Sequence, residues 1–165
     1  MNSILRSTLK TLQKSEHLLS NLDDATLANV SIPPYYSSIG GHIRHILDFY
    51  DCILNRVDIG KIDLTARKRN KNVETYCEQA LDYLNDIITR LKTIDNDMGS
   101  HVTVIDDLGM GIVEMPYTYA ALLAQANSHT IHHYAIINYI LDRLGIAIKD
   151  ATFGYNPTTP KASFN

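Results

Sequence analysis

The chain contains no tryptophan and only two cysteines, Cys52 and Cys77. They fall in separate helical patterns and lack Cys-x-x-Cys spacing, so a disulfide framework is not expected and a reducing compartment fits. No apolar run approaches the ~18 residues that a membrane span needs. No charge sign dominates either. A net charge of −3 leaves no electrostatic footprint for nucleic acid or an anionic membrane. The one basic cluster, Arg67-Lys68-Arg69-Asn70-Lys71, is short and flanked by acidic residues, and reads as a solvated helix end. The stretch Met1 to Arg6 shows no basic region followed by an apolar core, so no secretory signal is expected. Nothing repeats, and no segment is low in complexity. The expectation is a soluble cytoplasmic protein with a single domain over residues 1–165, ending in a tail from about 150 to 165.

Apolar residues instead recur at helical spacing. A first helix is predicted over Ser3 to Leu22, with Ser3 as its N-cap and His17 on its surface. Pro33-Pro34 then forbids helix. Ser37 or Ser38 caps a second helix reaching about Val57, in which Gly40-Gly41 implies close approach of a backbone or a ligand. A short helical piece is expected over Asp63 to Arg69. Asn70 or Asn72 then caps a third helix, Val73 to about Ile94. Val102 to Ile105 and Ile112 to Met115 carry the β signal, with Asp107-Leu108-Gly109 as the turn and Pro116 as the end. Thr118 or its neighbours opens a fourth helix that closes at Gly145. The expected fold class is all-α: a four-helix bundle with a small β-hairpin before the last helix.

The chemistry-bearing stretch is Ser128-His129-Thr130-Ile131-His132-His133-Tyr134, in the middle of the last helix. His129 and His133, four apart, lie on one face. Their row continues through Leu122, Ala126, Ile137 and Ile140. Two imidazoles in a buried stripe are costly without partners, and a metal ion would use both. Core histidines satisfied by a neighbouring side chain are also common, so spacing alone leaves both readings open. His132 is one turn from His129, but that row runs towards Gln125 and Arg143, the helix flank. In the second helix His42 falls within the apolar arc and His45 on its border, with Asp48 beyond. Periodicity does not choose between the two histidines.

Four stretches together resemble the DinB family. They are Ser38-Ile39-Gly40-Gly41-His42-Ile43-Arg44-His45-Ile46-Leu47-Asp48; Ile62 to Arg69 with Val73-Glu74; Ser128 to Tyr134; and Phe153-Gly154-Tyr155-Asn156-Pro157-Thr158-Thr159. The resemblance implies a four-helix bundle holding a divalent metal on three histidines, one from the second helix and two from the last. Carried onto this chain, they are His45, the later histidine of its pair, with His129 and His133. Asn70 departs from the acidic residue that similar sequences often have there, and Lys161 lies near where an arginine often follows the tail. Imidazole ligands suit zinc or nickel first and iron also. Three of them leave a position open for chemistry. In the resembling family the better attested chemistry is transfer of a low-molecular-weight thiol to an electrophile. Metal-dependent hydrolysis and a non-catalytic metal-binding stress-response or structural module are the alternatives. No catalytic acid or base is assigned. His42 and His132 are candidates for supporting the ligands, and Tyr134 and Asp48 are weaker candidates. Exposed tyrosines and the resemblance together suggest a homodimer.

Overall fold

Asn2, one residue before the expected Ser3, opens the first helix, its side chain accepting from the Ile4 N–H. In the computed structural model, which describes residues 2–55, 60–94 and 98–160, this helix is α1, Ser3–Leu19. It stops short of Leu22, where the Ser20 N–H and hydroxyl both return to the Glu16 carbonyl. A one-turn helix, α2 (Asp24–Leu27), follows and is capped by Asp23. Ser38 caps α3, Ile39–Leu54; the expected end at Val57 lies outside the described residues.

The segment expected to be helical between Asp63 and Arg69 is not helical. Lys61–Asp63 form strand β1, the Leu64 N–H donates to the Ile105 carbonyl, and the Asp63 carboxylate turns the chain by accepting from Thr65. Ile62 and Leu64 are buried two residues apart, a strand period that a helical reading obscures. The expected third helix is two. Asn70 caps α4, Lys71–Thr75, then Tyr76 is extended and α5 runs over Cys77–Lys92. The break is held from outside, since the Cys77 N–H donates to the Asp24 carboxylate.

Strand β2 is His101–Asp107, and β3 is Ile112–Thr118. They pair antiparallel, while β1 joins the other edge of β2 in parallel, giving the order β1-β2-β3. The protein is therefore mostly helical with a small three-stranded sheet. Pro116 does not end β3 as expected. It sits opposite Thr103, whose N–H is already committed to the Gly60 carbonyl on the β1 side. No ladder bond is asked of the proline nitrogen on this edge strand. Thr118 caps α6, Tyr119–Arg143. Gly145, at φ 72°, closes that helix: its N–H reaches the Asp142 carbonyl, and the Ile146 N–H reaches Leu141.

Among the long helices, α1 and α3 each pack against both α5 and α6. Leu12, Ile43, Leu47, Leu84, Leu122 and Ile137 are fully buried between them. The face of α3 that meets α6 carries His42 and His45.

Candidate metal centre

α3 begins with a close approach. A Cβ on Gly40 would overlap the Glu74 carbonyl of α4, so glycine is required for the two helices to touch there. The neighbour implied by Gly40-Gly41 is thus a backbone. The Ser38 side chain accepts from the Gly41 N–H at 2.9 Å and fixes the start of the helix. One turn later α3 presents His42 and His45, both half-buried, towards α6.

His45, His129 and His133 converge. Each offers a nitrogen within 4.8 Å of the others'. Their ring centroids are separated by 4.9 Å (45 to 129), 4.7 Å (45 to 133) and 4.5 Å (129 to 133). His42 joins from behind, its Nδ1 lying 2.8 Å from Nδ1 of His133 and its Nε2 2.8 Å from Ser37 Oγ. The first bond occupies Nδ1 of His133 and leaves Nε2 for another partner. His129 stacks on Phe49 with centroids 4.9 Å apart. Its Nε2 is buried without a hydrogen-bond partner among the described residues. Such an orphan is uncommon in a folded protein.

The electrostatics keep these rings neutral. Burial pushes His45 down to about 4, helped by the Arg67 cation and by His129. Burial and Arg67 likewise lower His129. Burial and the neighbouring imidazoles push His133 down to about 2. A neutral imidazole is the form that binds a metal ion. The three donors and the orphaned nitrogen fit a divalent ion. One feature of a different kind stands beside them: Arg67 Nη1 donates to His45 Nδ1 at 3.2 Å.

His132 does not join the cluster; it is exposed, with its ring 5.3 Å from that of His133. Tyr134 is turned to α1, where its hydroxyl donates to the Thr11 carbonyl. Asp48, read as lying beyond the apolar arc, is buried and accepts from Arg44, Tyr83 and the Arg69 N–H. Asp51, a residue with no assigned role in the sequence, is buried between Arg90 and Lys68. Arg67 was hidden inside an apparently solvated basic run, and only its seat after a strand turns it inward. Phe49 carried a signal, being one turn from His45. A cavity of about 440 Å³ opens beside the cluster and is lined by Tyr36, Ser37, Gly41, His42, His45 and His133 among others.

Residues 8–137, which include all three histidines and Arg67, match the family model of the DinB superfamily. No curated protein matches the chain. No solved structure matches it either.

Proposed function

Because the chain belongs to the DinB superfamily, we propose that it is a divalent-metal protein whose ligands are His45, His129 and His133, and that it transfers a low-molecular-weight thiol to an electrophile. The observation that carries the metal reading is the buried, unpartnered His129 Nε2 inside a cluster of neutral imidazoles. Zinc or nickel suits such a set first and iron also. A bound divalent ion would supply Lewis acidity, lowering the pKa of a thiol or water placed against it.

The chain's own groups do the rest. Ser37 and His42 hold the His133 ring in one orientation, the support that ligating histidines usually need. Phe49 packs against His129 and limits its rotation. The adjoining cavity gives a small molecule access to the cluster's edge at His45 and His133. The protein's own thiols are poor nucleophiles. Burial pushes Cys52 up to about 11, and burial with Asp24 does the same for Cys77. That favours an exogenous thiol as the attacking group.

In this reading α1, α3, α5 and α6 form a four-helix bundle within one domain over 1–165, working in the cytoplasm as a homodimer. No described helix is long and apolar enough to cross a membrane. Cobalt-loaded protein titrated with 2-mercaptoethanol tests the transfer chemistry. The cobalt absorption should shift on adding thiol in the wild type and not in His45→Ala. A metal-loaded protein whose spectrum ignores the thiol would leave hydrolysis or a non-catalytic metal module as the better account.

A further inference from the structure

Arg67 stands apart from the other cations around α3. Arg44 pairs with Asp48 and Glu74, Lys71 with Glu74, Lys68 with Asp51, and Arg90 with Asp51 and Asp86. Among the described residues Arg67 pairs with no carboxylate. Its Nε donates to the Leu64 carbonyl at 3.0 Å and its Nη1 to His45 Nδ1 at 3.2 Å. Both acceptors are uncharged, yet the side chain is half-buried. The nearby carboxylates are already engaged: Asp48 with Arg44, Tyr83 and the Arg69 N–H, Asp51 with Arg90 and Lys68, Asp63 with Thr65. A partly desolvated charge without a counter-charge is costly, and structures normally pair it.

The backbone nevertheless holds Arg67 in place. Its N–H returns to the Thr65 carbonyl; Lys68 is tied to Asp51; Arg69 takes a φ of 52° while its N–H is tied to Asp48. A positive φ at a non-glycine residue is kept only where surrounding contacts impose it. The guanidinium is therefore seated next to the His45–His129–His133 cluster, and a metal ion taking the single lone pair of neutral His45 would release Nη1 for another acceptor.

We infer that Arg67 is the anion-holding residue of this site, and that the molecule bound at the histidine cluster carries an oxyanion group, a carboxylate or a phosphoryl, which the guanidinium grips. The inference rests on the metal reading above and names the substrate class for it. A guanidinium presents its donors as a planar fork that matches both groups, and the resulting bonds are charge-assisted. The anion also screens Arg67 from a divalent ion on the histidines. Anion and metal should thus raise each other's affinity, by the same factor in both directions.

The test is zinc affinity, read by competition with a chromophoric chelator at constant ionic strength, with and without acetate or methylphosphonate. In the wild type one or both anions should tighten zinc binding by about tenfold, within the usual range for coupled sites. The anion that acts identifies the oxyanion as carboxylate or phosphoryl. Arg67→Gln should bind zinc at least as tightly as wild type in the absence of anion and show no anion effect. Arg67→Lys, which keeps the charge and loses the fork, should retain part of it. An equal anion effect in Arg67→Gln, or no effect of either anion on a wild type that binds zinc, overturns the role of Arg67. So does an Arg67→Gln protein that folds but binds zinc much more weakly. None of these arms contains a thiol, so thiol transfer can fail in the cobalt experiment while the anion site stands, and the reverse. A wild type that binds no zinc removes the metal reading and this inference together.

Discussion

Two polar clusters share α3 and are completed in opposite ways. Asp48 and Asp51, 1% and 2% exposed, each accept from several donors supplied by α3 itself, α5 and the segment before α4. The histidines on the α6 side meet one another, the Ser37 hydroxyl, a cation, or nothing. A buried network that closes on itself contributes rigidity; one left open keeps its capacity for an outside partner. The carboxylates therefore belong to the scaffold, while the imidazoles of α3 and α6 are left open to an outside ligand.

The two clusters should differ most at Asp48. Asp48→Ala removes the acceptor shared by Arg44, Tyr83 and the Arg69 N–H, and should cost about 3–5 kcal/mol in chemical denaturation, as loss of one member of a buried ion pair does. A loss under about 1 kcal/mol would mean that the closed cluster is not structural. Next in size is the open cluster. His129→Ala or His133→Ala should abolish the protein's stabilisation by zinc, about 2.7 kcal/mol at a hundredfold excess over Kd. His132→Ala should keep that stabilisation, and a melting curve with and without zinc distinguishes them. Zinc retained by His133→Ala would mean that the wrong row was chosen.

Acid separates the clusters with a smaller effect. In the metal-free native state His45 titrates near 4 and His133 near 2, against 6.5 ordinarily, so the unfolded chain takes up protons first as pH falls. Stability should decline from pH 6.5, towards 4 on account of His45 and on towards 2 on account of His133. Asp51 and Glu74 are held below their ordinary 3.8 and 4.5: burial opposes the shift, but Arg90 and Lys68 outweigh it for the first, and Lys71 and Arg44 for the second. Their contribution is present above those values and lost as pH falls below them. Urea midpoints against pH should show two limbs, the upper one diminished in His133→Ala. A single limb below pH 4 would show that the imidazoles are not held neutral. The smallest effect belongs to Cys77→Ser, which should leave both metal content and thiol transfer unchanged, since its thiol is raised to about 11; loss of transfer would make that thiol a participant.

What could be read from the sequence follows from what repeats locally. The 3.6-residue pattern located α1, α3 and α6 to within a few residues, and resemblance chose His45 over His42, where periodicity was silent. The departures at β1, at the break between α4 and α5, and at Arg67 share one cause, control by distant residues. β1 exists because β2 offers it an edge, and Lys61 to Leu64 is too short to announce itself. The expected third helix divides at Tyr76 because Asp24, more than fifty residues earlier in the chain, captures the Cys77 N–H. Arg67 could not be told from a solvated lysine or arginine until that strand turned it inward. Asp48 looked peripheral because helical arcs are drawn from hydrophobicity, which cannot register a carboxylate buried with its donors.

Tyr134 follows His133 directly and faces the other way. Its hydroxyl donates to the Thr11 carbonyl at 2.9 Å and also bonds Ser15, and its ring stacks on Phe153 of the tail at 4.5 Å. With 3.6 residues to the turn, the roll of α6 about its own axis sets where His129 and His133 aim. Tyr134 works like a key in a slot, locking that roll from the far side of the helix. The aim of the imidazoles is therefore governed partly by α1 and by the tail, through a residue that faces away from the cluster. Loosening the key, as in Tyr134→Phe, would leave all three histidines in the sequence and still let the α6 pair swing away from His45.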